Sequence, residues 1–349
     1  MNASPPSPSF RYQPSQTGRT LVHPLLPQDE QVRKQLLQAT QNDPFTFIVC
    51  ADTQIGIASQ NREWETELAY SRDAIRLLNK LEPRPLFCCV CGDLVDMEST
   101  IFATWSGGDA AAIERCDEVQ NAQNRDWKAT WNALHEDIAL VCVCGNHDVG
   151  NRPNAATMQR FVAAFGDDYL AFWVRNTYNI VLNTNLFSDP TDAMEMYEHQ
   201  LAWLESRLCY AQEQKASHVF VFGHHPWFLY HQDETDDEMS GASAFPKEWG
   251  ESTTTFPDRY FHIPLQYRKQ ALALFEQYSV TAAFSGHFHQ NMVSKAAFGM
   301  DMIITSSLSL VFESTGIPDD FTEPRGSRGV RIVTVQPNGG FQHEFVCLD

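Results

Sequence analysis

Apolar residues along this chain gather into short runs, and five of those runs end in the same way. Phe45–Ala51 is followed by Asp52-Thr53-Gln54, and Leu86–Cys91 by Gly92-Asp93-Leu94-Val95-Asp96. Leu140–Cys144 is followed by Gly145-Asn146-His147-Asp148, His218–Phe222 by Gly223-His224-His225-Pro226, and Val280–Ser285 by Gly286-His287-Phe288-His289. Short continuous apolar runs bounded by turn residues predict buried strands. Helical spacing of apolar residues predicts helices between them: Trp64–Leu81 (Leu68, Ile75, Leu78, Leu81), Ala122–His135, Ala155–Phe165, Thr191–Lys215 and Pro264–Tyr278. Tyr169–Arg175 and Tyr178–Thr184 read as a strand pair, and runs at Met302–Ser306, Val330–Val335 and Phe341–Val346 as a β-rich closing part. Buried strands alternating with helices define an α/β fold, whose ligands lie at the carboxyl ends of the strands.

The polar segments set the domain organisation. Residues 1–41 are rich in Pro and Ser and read as a partly disordered tail with a short helix near Gln28–Ala39. Residues 42–349 read as one domain with insertions near 97–121 and 231–258. The second insertion carries Asp233, Glu234, Asp236, Asp237 and Glu238. Such a charge run is ordinarily a solvated loop, and its place beside a strand edge leaves room for a lid or substrate filter.

Charge and cysteine usage narrow the function classes. A net charge of −19 over 349 residues argues against nucleic acid and anionic membrane surfaces as partners. No run reaches the ~18 apolar residues of a membrane span, and the first residues lack the pattern of a secretory signal. Of nine cysteines, Cys88, Cys89, Cys91, Cys142 and Cys144 sit inside strand-like runs and read as small buried hydrophobes. Their spacing does not match paired zinc-ribbon cysteines. A reducing, cytoplasmic setting is expected.

The five strand ends offer Asp52, Gln54, Asp93, Asn146, His147, His224, His287 and His289, all oxygen or imidazole donors. Such a set suits divalent Mn, Fe, Mg or Zn and not a thiolate site. It exceeds one coordination shell, so two divalent metal ions are expected, with Asp93 as the carboxylate shared between them.

In order, D-T-Q, G-D-L-V-D, G-N-H-D, G-H-H-P and G-H-F-H resemble the motif series of the calcineurin-like metallophosphoesterases, across roughly Phe45 to Val346. Phe165-Gly166-Asp167-Asp168-Tyr169, Ala171–Val174 and Phe284–His287 are similar to a subfamily of cytosolic protein phosphatases described as calcineurin-like phosphoesterase domain-containing. The resemblance implies a four-layer α/β/β/α sandwich. It implies one metal held by Asp52, Asp93, His289 and Gln54, the last standing where most of the family has histidine. A second would be held by Asp93, Asn146, His224 and His287. His147 is implied as the group that protonates the leaving oxygen, and Asp96 as the partner that orients it.

Outside that set, Asn151 and Arg152 are candidates to reach a substrate phosphate, although Arg152 is as readily read as the partner of a surface acid. His225 is a further candidate substrate contact, with packing an equal alternative. The function expected is a dinuclear-metal-dependent phosphomonoesterase acting on phosphoserine or phosphothreonine in proteins. The alternatives are a phosphodiesterase or nucleotidase for a small metabolite, and a binding protein whose first metal site has lapsed through Gln54. Oligomeric state is not legible in the sequence.

Overall fold

A computed structural model of the chain describes residues 13–14, 21–22, 28–40, 43–98, 101, 110–237, 257–311, 326–337 and 339–348. Two sheets organise it. Strands β3 (Phe45–Cys50), β4 (Phe87–Cys91) and β5 (Ala139–Val143) run parallel. Antiparallel β12 (Gly329–Val335) and β13 (Phe341–Cys347) complete a five-stranded sheet in the order β13-β12-β3-β4-β5. The second sheet takes β6 (Leu170–Val174), β7 (Thr177–Val181), β8 (His218–Phe222), β9 (Ala282–Ser285), β10 (Met292–Lys295) and β11 (Asp301–Ile304). Its order is β10-β11-β9-β8-β7-β6, with parallel pairing from β7 to β11 and antiparallel edges. Two short strands, β1 (Gln13–Pro14) and β2 (Leu21–Val22), pair with each other.

Alternation along the strands builds the layers. In β4, Phe87, Cys89 and Cys91 face the other sheet, while Cys88 and Val90 face helices; in β8, Phe220 and Phe222 face inward and Val219 and Val221 outward. Between the sheets Phe47 stacks on Phe87 at 4.6 Å, and Phe220, Phe222 and Phe284 pack edge-on or tilted around Phe47. Each such buried ring contributes on the order of 1.5–3 kcal/mol. Helices Glu65–Leu78, Ala110–Trp131 and Ala155–Phe165 cover the five-stranded sheet, and Met194–Glu213 and Leu265–Gln277 cover the six-stranded one. The result is the expected α/β/β/α sandwich.

The structure departs from the apolar pattern in three places. The helix expected over Ala122–His135 spans Ala110–Trp131, because Ala110-Ala111-Ala112 has high helix propensity that an apolar-spacing reading underweights. Part of the 97–121 insertion is therefore helix, while residues 99–100 and 102–109 lie outside the described residues. Strand β10 is too short and too polar to stand out and is formed by its antiparallel partner β11. The helix expected near Gln28–Ala39 is present at Glu30–Thr40 and is docked. Gln28 bonds both the N–H (2.7 Å) and the carbonyl (3.3 Å) of Trp173 on edge strand β6, and the Arg33 guanidinium lies 3.9 Å over the Trp173 ring. Most of residues 1–27 of the expected tail lie outside the described residues. Among the described residues no helix is long and apolar enough to cross a membrane.

Candidate metal centre

The carboxyl ends of β3, β4 and β5 meet those of β8 and β9, and the chain turns sharply there. Asp52 (φ 50°), Gln54 (φ 28°), Asp93 (φ 49°), His287 (φ 66°) and His289 (φ 54°) all adopt the left-handed conformation that side-chain-bearing residues usually avoid. Backbone strain of this kind persists only where the surroundings enforce it, and it clusters at functional sites. Close approach needs glycine at two of the turns: a Cβ on Gly92 would lie 2.3 Å from the His224 ring, and one on Gly286 would lie 2.4 Å from the Asp52 carboxylate. Asp148 ties two turns together, its carboxylate accepting from Leu94 N, Val95 N and Gly145 N at 2.7–3.2 Å.

Backbone carbonyls orient the histidines. His224 Nδ1 lies 2.9 Å from Cys91 O, His287 Nε2 lies 2.8 Å from Tyr260 O, and His289 Nδ1 lies 2.5 Å from Leu310 O. A carbonyl can only accept, so each of these nitrogens carries the proton and the other nitrogen of each ring presents a lone pair. Those lone pairs converge. His224 Nε2 is 3.1 Å from His287 Nδ1, 3.0 Å from Asn146 Oδ1 and 3.4 Å from Asp93 Oδ2. His289 Nε2 is 3.3 Å from Asp52 Oδ1. Asn146 Nδ2 is held by Asn151 Oδ1 at 2.9 Å, which turns the Asn146 oxygen inward. Four electron-pair donors facing one another in a buried space repel unless a cation stands among them.

Electrostatics agree with that reading. Burial and the neighbouring His224 push His287 down to about 3, and burial with His287 and His224 holds His225 well below its ordinary value, so both rings are uncharged donors. Burial opposes ionisation of Asp93, but His224 and His147 hold its carboxyl well below the usual carboxylate range. Burial disfavours a positive charge at His224, yet Asp93 and then Asp52 push it up to about 9, so the surrounding carboxylates favour a cation here. Asp52, Asp93 and His224 offer ligand atoms within 4.8 Å of one another, as do His224, His225 and His287.

Gln54 bears on whether the other half of the site fits an ion. Its Nε2 donates to Asp96 Oδ1 at 3.0 Å, which leaves Oε1 buried with no hydrogen-bond partner. A carboxylate can only accept, so the amide is oriented by chemistry. An orphaned buried carbonyl oxygen on a residue whose backbone N–H donates to Asp93 O at 2.8 Å fits an oxygen-preferring divalent ion. The residues present therefore fit two ions, one with Asp52, Gln54, Asp93 and His289, the other with Asp93, Asn146, His224 and His287.

His147 stands at the mouth. Its Nδ1 lies 2.9 Å from Asp96 O and 3.1 Å from Asp96 Oδ1, and its backbone N–H donates to Asp93 Oδ1 at 2.8 Å. Its side chain is 20% exposed while those of Asp52, Asp93, His224 and His289 are at most 3%, so of these groups it is the one open to solvent. Burial works against its charge, but Asp93 and then Asp96 push it up to about 10.

The substrate contacts expected from sequence fare differently. Asn151 stands behind Asn146 as its orienting partner. Arg152 is exposed and gives its Nε to Asp189 at 3.1 Å, the surface-acid pairing that the sequence left as the alternative. His225 is buried, its ring 4.4 Å from that of His287, with Thr184 Oγ1 accepting from the backbone N–H of both His224 and His225 at 2.9 Å. The acidic run corrects the filter idea in part. Glu234 is buried and accepts from the N–H groups of Leu229, Tyr230 and His231 at 2.7–3.2 Å, and Asp236 accepts from Leu265 N at 3.0 Å at the start of a helix. Both are structural; Asp233 and Asp237 are exposed, and Glu238 lies outside the described residues.

Sequence reasoning missed Tyr260, Asn61 and Gln123. The Tyr260 ring packs 5.2 Å from that of His287, and its side chain hydrogen-bonds Asn146. Asn61 and Gln123 lie behind Asp96. None belongs to a motif; Asn61 and Gln123 are identified by burial and hydrogen bonding behind Asp96, and half-buried Tyr260 by its contact with His287.

Comparison with known proteins places this geometry in a family. Residues 45–291 match the model of the calcineurin-like phosphoesterase family. The chain is similar to serine/threonine-protein phosphatase CPPED1 of Danio rerio, 32% identical over 322 residues that cover 89% of this chain and 87% of that protein. It is also similar to the protein of the same name from Homo sapiens, 31% identical over 315 residues, 88% and 84% of the two chains. Among solved structures, the purple acid phosphatase PPD1 from yellow lupin seeds aligns with a TM-score of 0.58 at 13% identity over 88% of this chain. This chain spans 52% of that enzyme's length. A dimetal phosphatase from Danio rerio aligns with a TM-score of 0.50 at 14% identity, covering 88% of this chain and 100% of that one. These two structural likenesses speak for the fold alone. With the family match spanning most of the sandwich, this chain belongs to the calcineurin-like phosphoesterases and is a metal-dependent hydrolase of phosphoric esters.

Proposed function

We propose that this chain is a phosphomonoesterase that removes phosphate from serine and threonine side chains of proteins, using two divalent ions drawn from Mn²⁺, Fe²⁺, Mg²⁺ and Zn²⁺. The observation that carries the chemistry is the convergence of His224 Nε2, His287 Nδ1, Asn146 Oδ1 and Asp93 Oδ2, together with the orphaned, buried Gln54 oxygen. The substrate class rests on relatives named serine/threonine-protein phosphatase at 31–32% identity over most of their length. Ions held in the two donor sets supply charge neutralisation at phosphate and a nucleophile at neutral pH. The chain's own residues do the rest. His147, steered by Asp96, hands a proton to the departing serine or threonine oxygen, an alkoxide that leaves poorly without one. Low exposure of the carboxylates keeps bulk water from screening them.

Nine unpaired thiols support a reducing, cytoplasmic setting: Cys50 and Cys88 Sγ atoms approach to 3.8 Å, and those of Cys89 and Cys91 to 4.0 Å, without bonding. Turnover of phosphoserine and phosphothreonine peptides beside p-nitrophenyl phosphate, its bis-ester and a nucleotide set tests the reading. Peptide turnover with little bis-ester hydrolysis is expected. Faster cleavage of the bis-ester or of nucleotides than of any peptide would overturn the substrate class.

A further inference from the structure

The Gln54 amide is the last member of a row of side chains whose orientation is fixed along its whole length. Met97 N donates to Gln123 Oε1 at 3.0 Å, Gln123 Nε2 donates to Asn61 Oδ1 at 2.6 Å, and Asn61 Nδ2 donates to Asp96 Oδ2 at 2.5 Å. The other Asp96 oxygen accepts from Gln54 Nε2 at 3.0 Å and faces His147 Nδ1 at 3.1 Å. A backbone N–H at one end can only donate, and a carboxylate near the other can only accept. Every amide between them has one orientation that satisfies both, and the structure shows that orientation. Turning either amide over would set two acceptors or two donors face to face in a buried space, at about 1–3 kcal/mol for each group left unpaired. The row is buried: Gln54, Asn61, Asp96 and Gln123 are at most 8% exposed. It is also tightly walled, since a Cβ on Gly56 would lie 2.2 Å from Gln123 Nε2 and 2.5 Å from Asn61 Oδ1.

We infer that Asn61 and Gln123 are positioning residues for the metal centre, holding Asp96 so that one carboxylate oxygen both aims the Gln54 carbonyl at the first ion and steers His147. This rests on the two-ion reading above. It makes Gln54 a built substitute for an imidazole ligand: where the histidines of the site are fixed through backbone carbonyls, this amide is fixed through a relay that runs from Met97 N by way of Gln123 on the helix Ala110–Trp131. Because Gln54 has no second ring nitrogen to anchor, its ligand strength depends on the relay, and groups behind a metal ligand typically govern roughly 10–100-fold in affinity.

The test is calorimetric titration of chelator-stripped full-length protein with Mn²⁺, on wild type, Asn61→Ala, Gln123→Leu, Gln54→Ala and the Asn61→Ala/Gln54→Ala double variant, with folding checked by circular dichroism and thermal melts. Wild type is expected to take up two ions. Asn61→Ala and Gln123→Leu are expected to weaken one of the two sites by about 10-fold or more and leave the other within about twofold. In the Gln54→Ala background, Asn61→Ala should add nothing to that loss, since both act through the same amide. Two ions at unchanged affinity in folded Asn61→Ala, equal weakening of both sites, or full additivity in the double variant would each overturn the relay while leaving the dinuclear site standing. Fewer than two ions in wild type would overturn the two-ion reading, and the relay with it.

Discussion

The two halves of the proposed metal centre share histidines pinned by main-chain carbonyls and differ in how the Gln54 amide is held. On one side, His224 and His287 are each pinned by a main-chain carbonyl, Cys91 and Tyr260, and Thr184 holds the turn that carries His224. On the other, His289 is likewise pinned by the Leu310 carbonyl, but the Gln54 amide is pinned only by side chains, through Asp96, Asn61 and Gln123. Main-chain carbonyls belong to strands and turns that the whole sandwich enforces, whereas a side-chain relay fails when any member is lost. The donors differ too: the Gln54 side offers three oxygens and one nitrogen, and the His224 side two of each. The Gln54 side should therefore be the weaker and the more accepting of hard ions such as Mg²⁺ and Mn²⁺.

Four perturbations break or sharpen that comparison. The largest effect belongs to Asp93, which serves both halves: Asp93→Asn should abolish uptake of both ions and with it phosphatase activity, read by elemental analysis and turnover. Next, His147→Ala should lower kcat on phosphoserine peptides by roughly 10²–10⁴-fold with metal content unchanged. The same variant should lose much less on p-nitrophenyl phosphate, whose leaving group needs no proton. Near-normal peptide turnover with both ions bound would sink the proton-donor role. Gln54→His should then raise affinity for Zn²⁺ relative to Mg²⁺ at one site only, seen in competition titrations, because imidazole is the softer donor. Smallest is Thr184→Ala, which leaves the N–H groups of His224 and His225 without their acceptor and should cost about 1–3 kcal/mol of stability in denaturant unfolding while the Gln54 side keeps its ion.

What was legible in the sequence follows the same division. Asp52, Asp93, Asn146, His224, His287 and His289 could be found because each follows an apolar run, and the strand period places such residues at one sheet edge. The layers were legible for the same reason, since alternation in β4 and β8 sorts residues between the two cores. The relay was not. Asn61 and Gln123 are 35 and 27 positions from Asp96 in sequence, on segments whose apolar spacing says nothing about which polar side chain turns inward. The acidic run misled for a related reason: composition cannot distinguish a solvated carboxylate from one such as Glu234, which closes a turn by accepting three backbone N–H groups. The docked helix at Glu30–Thr40 was visible as a helix, but its seat on Trp173 depends on an edge strand more than 130 residues away.

The central claim is that Gln54 is a working ligand in a two-ion centre. It is tested most directly by a crystal structure of the Mn²⁺-loaded protein with anomalous scattering from the metal. Two anomalous peaks about 3.5–4 Å apart are expected, with Asp93 between them and the Gln54 carbonyl oxygen in direct contact with the ion beside Asp52 and His289. A single peak on the His224 side, or two peaks with the Gln54 amide turned away from both, would contradict it.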